Sequence, residues 1–204
     1  MNNSPTWIQT RITSWTMNSC STLTSNGLGG NTTVSMSKVL FDGTSGQHYL
    51  RRYFNFGEAI PTGNSLTFSV FAKAAEYRLF YLRMLDFRDT SKGVAAYYNV
   101  STDAIAAGIS NQLTAPQGSI LAANMTSNVT YMGNGVVRCS VTVNIFPNTT
   151  DIICDVIALD NTGAEVFTGD AVSGMYFGGG QIEPGYIHAG QALPNATFYS
   201  KTVT

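Results

Sequence analysis

A two-residue alternation of apolar and polar side chains, broken at short intervals by turn-forming clusters, is what most limits how this chain can fold. In Leu66–Lys73, residues Leu66, Phe68, Val70 and Ala72 fall on one face and Thr67, Ser69 and Lys73 on the other, with Phe71 the exception on the polar face. In Val137–Val143, residues Val137, Cys139, Val141 and Val143 point one way and Arg138, Ser140 and Thr142 the other. A period of two is that of a β-strand with one face on the core, so one face of each sheet is expected to be wet. The run Asp151–Leu159 is apolar on both faces, the pattern of a strand covered on both sides or placed at a subunit interface. Further strands are expected at 36–41, 47–55, 77–88, 94–100, 129–133 and 174–183. Between them stand Asp42–Gly43, Pro61–Asn64, Asn134–Gly135, Pro147–Asn148 and Asn161–Gly163, all turn chemistry. No segment keeps a 3.6-residue apolar period, and only the Ala-rich 103–110 is read as a short helical turn. No internal repeat points to a solenoid or propeller. The expected fold is all-β, a two-sheet antiparallel jelly-roll sandwich.

At 204 residues the chain suits one large β domain. Residues 34–204 carry the regular pattern. Residues 1–33, with only Trp7, Ile8, Ile12 and Trp15 to bury, read as an N-terminal arm, a docking segment or a first strand pair. Charged residues make up 11% of the chain, against about 25% in typical domains. Ser, Thr, Asn and Gly take their place, as suits β surfaces and crowded assemblies. The net charge is −1 and the basic residues are dispersed apart from Arg51–Arg52, which excludes the footprint of a nucleic-acid binder. The N-terminus has neither a basic start nor an apolar run, and no stretch approaches the roughly 18 apolar residues of a membrane span, so no signal peptide or membrane insertion is expected. Cys20, Cys139 and Cys154 form no metal-binding spacing. Cys139 and Cys154 read as small apolar core residues, with a 139–154 disulfide the alternative if their strands are neighbours.

Catalytic chemistry finds little footing. His48 and His188 are the only histidines, neither in a nucleophile motif, and His48, within a strand, reads as structural. Twelve acidic residues allow many carboxylate pairs, but no spacing selects one for glycoside hydrolysis, and Asp86, Asp89, Asp103 and Asp155 do not stand out. Gly178–Gly180 lacks the Lys-Ser/Thr of a phosphate loop and reads as close backbone approach. No catalytic residue, metal ligand or cofactor is therefore expected. Aromatics, 11% of the chain, mostly fill the core. Trp7, Trp15, Tyr97, Tyr98 and Tyr186, with polar or turn neighbours, are the candidates for a ligand-binding surface. Asn-x-Ser/Thr triplets starting at Asn31, Asn124, Asn128, Asn148 and Asn195 read as chance in a chain rich in Asn and Thr.

The C-terminal stretch Met175–Gly185 followed by Ala196–Ser200 is the most distinctive. It resembles the closing motif, aromatic-Gly-x-Gln-Leu-Glu-x-Gly then Ala-Thr-x-Tyr, of jelly-roll domains in tailed-bacteriophage tail, fibre and other virion proteins, which are similar to carbohydrate-binding modules. Ser69–Lys73 resembles that family's Ser-Val-Tyr-x-Lys strand and Gly135–Thr142 its Gly-Trp-Tyr-Arg-x-Ser-Val-Thr strand. Val136 and Val137 replace the family's aromatic pair, and with it any binding surface those aromatics make. Arg138, Gln181, Glu183, Thr197 and Tyr199 are the motif's structural residues. Alternation puts Gln181 and Glu183 on the face of Phe177 and Gly179, with Ile182 opposite. There they are expected to hydrogen-bond near Thr197 or to pair with Arg138.

The resemblance implies a bacteriophage virion structural protein, made in the host cytoplasm and displayed on tail, fibre or capsid. Its partners would be other virion proteins and a host cell-surface glycan, and a homotrimer is the expected assembly. A freestanding glycan-binding module is the alternative, and a polysaccharide depolymerase a further one.

Overall fold

The computed structural model describes residues 8–10, 12–19, 23–24, 31–32, 35–55, 64–100, 110–113, 125–144 and 149–186, with side chains given for 36–55, 65–100, 125–143 and 149–183. Among them lie sixteen strands and no helix: β1 (Ile8–Thr10), β2 (Ile12–Ser19), β3 (Leu23–Thr24), β4 (Asn31–Thr32), β5 (Ser35–Phe41), β6 (Ser45–Gly46), β7 (Tyr49–Asn55), β8 (Asn64–Lys73), β9 (Leu79–Asp86), β10 (Gly93–Asn99), β11 (Ser110–Leu113), β12 (Met125–Gly133), β13 (Val136–Asn144), β14 (Asp151–Leu159), β15 (Phe167–Thr168) and β16 (Gly174–Tyr186). Residues 103–109 of the expected helical turn lie outside the described residues.

Two six-stranded sheets, in the orders β1-β7-β14-β9-β10-β11 and β12-β13-β8-β16-β5-β2, form the sandwich, with β15-β6 and β3-β4 as short ribbons. Every pairing is antiparallel. Eight long strands, β5, β7, β8, β9, β10, β13, β14 and β16, nest as one folded hairpin. The first pairs with the eighth, the second with the seventh, the third with the sixth and the fourth with the fifth. That nesting over two sheets is the jelly roll. Of residues 1–33, β1 lies along β7 and β2 along β5, at the edges of the two sheets.

The inner faces follow the alternation. Val137, Cys139, Val141 and Val143 stand opposite Ala72, Val70, Phe68 and Leu66 across the β13–β8 ladder. They meet Phe80, Leu82, Met84, Val94, Ala96, Ile152, Cys154 and Val156 from the other sheet in one core. Phe80 stacks on Tyr98 at 5.2 Å and meets Phe177 edge-on at 5.1 Å. Each such side chain contributes about 1.5–3 kcal/mol on burial. Cys139 and Cys154 are free thiols in this core, on strands of different sheets, so the disulfide alternative falls away. Burial raises both thiol pKa values well above the ordinary one. The β12–β13 hairpin turns on Asn134 (φ 54°) and Gly135 (φ 75°), both left-handed as such a tight turn requires.

Two expectations give way. The outward faces are not wet: Thr67, Ser69, Arg138, Ser140 and Thr142 are all buried. Their polar groups pair with one another, Thr67 Oγ1 with Thr142 Oγ1 at 2.7 Å and Arg138 Nη2 donating to Ser69 Oγ at 3.0 Å. The odd Phe71 belongs to a satellite cluster on this face with Met36, Met132, Val136 and Tyr176. The straight alternation through the glycines also fails. Gly178 lies opposite Phe71 but Gln181 opposite Ser69, so one extra residue bulges, with Gly179 left-handed (φ 55°). Phe177 and Ile182 therefore face the core, while Gln181 and Glu183 share the outer face with Ser69 and Thr67.

Candidate functional site

β14 runs down the middle of its sheet between β7 and β9, and its outward residues align in rows across the ladders. Tyr49, Ile157, Tyr81 and Tyr97 make one row, Arg51, Asp155 and Arg83 the next, and Tyr53, Ile153 and Leu85 a third. The run 151–159 is thus covered on both sides within the fold.

Asp155 is fully buried, so its charge needs partners. Both neighbouring strands supply one. Arg51 Nε and Nη2 donate to Oδ1 and Oδ2 at 2.6 and 2.9 Å, and Arg83 Nε and Nη2 both donate to Oδ2, at 3.0 and 2.7 Å. The hydrogen bond to Asp155 lifts the Arg51 pKa above its ordinary value. The guanidinium of Arg51 also lies 4.9 Å over the Tyr49 ring, and that of Arg83 5.9 Å from the Tyr81 ring. Tyr81 and Tyr97 pack with centroids 4.8 Å apart. Glu165, in the loop after β14, accepts from the Tyr81 hydroxyl and from the Gln47 amide through one oxygen. Burial first, then this bond to Glu165, raises the Tyr81 pKa far above its ordinary value, so the phenol acts as a fixed donor. The two upper rows are a rigid, internally satisfied platform.

At the far end of the same face the character changes. Tyr53 and Phe87 are 46% and 52% exposed and meet edge to face at 5.6 Å. With Phe54, Asn55 and Asp151 they line an open hollow of about 450 Å³. Asp151 Oδ1 accepts from Asn55 Nδ2 at 2.6 Å and Oδ2 from Thr150 Oγ1 at 2.7 Å, which holds an amide and a carboxylate beside two exposed rings. Aromatic faces beside planar polar groups suit the C–H faces and hydroxyls of a sugar ring. A second hollow, of about 580 Å³, opens among the loops at the other end, lined by Glu76, Tyr77, Asp160 and Phe167 among others.

The sequence candidates fall in several places. Trp7, Thr197, Tyr199 and His188 lie outside the described residues. Trp15 stands on β2 opposite Val39, and Tyr186 ends β16 opposite Asn64, their side chains outside the described set. Tyr97 is half-buried in the tyrosine row. Tyr98 is corrected: it is a core residue, its hydroxyl donating to the Ser140 carbonyl at 2.7 Å, because alternation along β10 turns it opposite to Tyr97. Arg138 and Glu183 form an ion pair at 3.4 Å, and Gln181 Nε2 donates to Glu183 Oε1 at 2.8 Å. Val136 and Val137 are both buried, one in the satellite cluster and one in the core. His48 is buried against Phe41 and Phe167 and donates from Nε2 to the Phe167 carbonyl at 3.1 Å. Among the described residues no group of three or more His, Cys, Asp or Glu is placed to hold a metal ion.

Asp155, Tyr53 and Phe87 were missed by sequence reasoning. A signal existed for the first: a lone carboxylate inside an apolar strand demands a buried cation. None existed for the pair, since Tyr53 lies on β7 and Phe87 in the loop after β9.

Fold and side chains together define an all-β protein, a two-sheet antiparallel jelly-roll sandwich carrying an aromatic hollow at one end of a sheet face. No family model matches the sequence, and no curated protein matches it. Among solved structures the chain is similar to the enzymatically active domain of tailspike protein 4 of bacteriophage CBA120, at 14% identity and a TM-score of 0.42 over 91% of this chain. It spans only 20% of that chain. It is also similar to the carbohydrate-binding module TmCBM27, described for specific mannan recognition, at 12% identity and a TM-score of 0.35, covering 87% of this chain and 85% of that one.

Proposed function

We propose that this chain is a non-catalytic bacteriophage virion protein, displayed on tail, fibre or capsid, whose jelly roll serves assembly and attachment to a host-surface glycan. One observation carries the binding half: the exposed Tyr53–Phe87 pair over a hollow that also holds Asn55 and Asp151. Large aromatics left in water beside fixed polar groups are the usual sign of a binding surface. The virion half rests on the resemblance of Met175–Gly185 and Ala196–Ser200 to the closing motif of phage jelly-roll domains.

The state of the carboxylates favours binding over hydrolysis. Asp155 accepts four hydrogen bonds from arginines, Asp86 accepts from Thr149 Oγ1 and the Arg88 amide, and Asp151 is held by Asn55 and Thr150. Each is committed to holding structure rather than facing its partner across an open cleft. Residues 1–33 are proposed to dock the domain to its neighbours, with other virion proteins and two further copies of the chain as partners. The alternative of a freestanding glycan-binding module shares the hollow and differs in assembly.

Light scattering and a glycan array on one preparation test both halves. A trimeric mass with a glycan signal lost in Tyr53→Ala/Phe87→Ala fits the proposal. A monomer with the same signal promotes the freestanding module. An array signal that survives the double substitution removes the hollow as the site, and release of reducing ends from a polysaccharide overturns the non-catalytic reading.

A further inference from the structure

Three loops converge at the end of the sandwich away from Tyr53 and Phe87: 74–78 between β8 and β9, 160–166 after β14 and 169–173 after β15. Residues of all three, with β15 itself, line the open hollow of about 580 Å³. Its walls are fastened to one another. Asp160 Oδ1 accepts from the Thr162 amide, the Thr162 hydroxyl and the Ala164 amide at 2.8, 2.7 and 2.7 Å. Asn161 Nδ2 donates to the Glu76 carbonyl at 2.9 Å, and Glu76 Oε2 accepts from the Gly174 amide at 3.0 Å. The Tyr77 ring packs 5.4 Å from that of Phe167 and meets Phe41 edge-on at 5.0 Å, which gives the hollow an apolar wall.

What these bonds leave over is a set of polar groups from separate segments. The Tyr77 hydroxyl, the Thr168 hydroxyl, Asp160 Oδ2 and the Asn161 side-chain oxygen make no hydrogen bond among the described residues. No cationic side chain lines the hollow. Glu76 is balanced by Lys38 at 2.8 Å, but Asp160 and Asp170 are in no ion pair among the described residues. Burial first, then the charges of Asp170 and Asp160, raise the Tyr77 pKa, so its phenol stays protonated and can both donate and accept.

We infer that this loop-end hollow is a second saccharide site, taking an uncharged sugar whose hydroxyls meet Asp160 Oδ2, the Asn161 side-chain oxygen and the hydroxyls of Tyr77 and Thr168. A sugar offers an apolar C–H surface rimmed by hydroxyls that donate as well as accept, which suits an aromatic wall beside fixed acceptors and two-way hydroxyls. A carboxylate-bearing sugar would set its charge against unpaired Asp160, so acidic sugars are excluded. The inference extends the glycan-binding reading to a separate surface. Asp151 lines the first hollow and Asp160 this one, so by the rise of a strand the two stand roughly 30 Å apart along β14. On a surface carrying many glycan chains, two linked sites add avidity without any new contact.

The experiment is an amide NMR titration of the full chain with the methyl glycosides of glucose, galactose and mannose and with their uronic acid counterparts. At least one neutral glycoside is expected to shift the Asn161, Thr162, Thr168 and Ser173 amides saturably, with its uronate at least about tenfold weaker at low salt, a gap that narrows as ionic strength rises. Tyr77→Phe and Thr168→Val should each weaken neutral binding about fivefold, the worth of one hydrogen bond, with the thermal melt unchanged. Asp160→Asn keeps an oxygen for the turn and removes the charge, so it should bring the uronate closer to its neutral partner. Loop-end shifts that persist in Tyr53→Ala/Phe87→Ala support the second site whatever becomes of the first. Shifts confined to Asn55 and Asp151, shifts absent altogether, or loop-end binding indifferent to Tyr77→Phe and Thr168→Val overturn it. A glycan-array signal lost in Tyr53→Ala/Phe87→Ala leaves the first hollow standing in each of those cases. Equal affinity for a neutral glycoside and its uronate overturns the exclusion of acidic sugars.

Discussion

Asp155 sits at the centre of the sheet with no water on it, and its four hydrogen bonds come from arginines two strands apart. Removing one partner of such a cluster leaves like charges facing each other, which costs far more than the net worth of the pair. Asp155→Asn is therefore expected to lower unfolding stability by about 3 kcal/mol in urea titration. A loss below about 1 kcal/mol, the range of exposed pairs, would mean that water reaches the arginines freely. At the surface, aspartates close the turns. Asp42, Asp89, Asp160 and Asp170 each accept from an amide and a hydroxyl two or three residues on. For Asp170, the bonds from the Ser173 hydroxyl first and then the Ser173 and Val172 amides pull its pKa from 3.8 to about 2. The folded value is the lower one, so the contribution of this turn is present above pH 3.8 and is lost as pH falls through about 2. Amide shifts of Val172 and Ser173, followed by NMR, should titrate with a midpoint near 2, and a midpoint at the ordinary 3.8 would show those bonds to be absent in solution.

At the scale of the element, the bulge in β16 matters most, because one residue decides which way everything after it points. Deleting Gly179 removes the extra residue and leaves straight pairing with β8, in which Gly180 comes opposite Val70 and Gln181, Ile182 and Glu183 keep their places opposite Ser69, Phe68 and Thr67, whereas one more residue inserted beside Gly179 would turn Gln181 and Glu183 into the core and Ile182 outward. The deletion is expected to retain cooperative unfolding as read by near-ultraviolet circular dichroism, and the insertion to abolish it. Gly179→Ala keeps the register but asks an L-residue to adopt a left-handed φ, at a cost of about 1–2 kcal/mol in the same urea titration. If the insertion folded as well as the parent, the register after the bulge would not be what holds Arg138 and Glu183 together. The outward faces of β8 and β13 are buried and mutually bonded rather than wet, so alternation on these strands separates an apolar layer from a polar layer, not inside from outside.

For the whole molecule, the nested hairpin means that neighbours in space come from opposite ends of the chain. β16 lies between β5 and β8 and supplies Met175 and Phe177 to the core, so its sheet is incomplete until the last strand arrives. A chain ending at residue 173 is expected to show no cooperative thermal transition, and refolding of the full chain should fall in the slow, millisecond-to-second range of high-contact-order β proteins. A cooperative transition in the truncated chain would show that β5 and β8 can close without it. Much of this was legible in the sequence. Alternation and turn residues act locally, so Leu66–Lys73, Val137–Val143 and the doubly apolar 151–159 declared themselves as strands, and of the ten described strands of seven or more residues all but β2 fall within a few residues of the expected ranges. Tertiary structure alone decided the rest. Tyr98 was offered as a surface residue, yet its place was settled by the sheet packed over β10, and the parity of Gln181 and Glu183 turned on a single left-handed glycine. Tyr53, Phe87 and Asp151 meet at one hollow because β7 and β9 flank β14, an adjacency that sequence spacing does not encode. Local rules fix what each segment becomes, and only the pairing of distant strands fixes which side chains share a site.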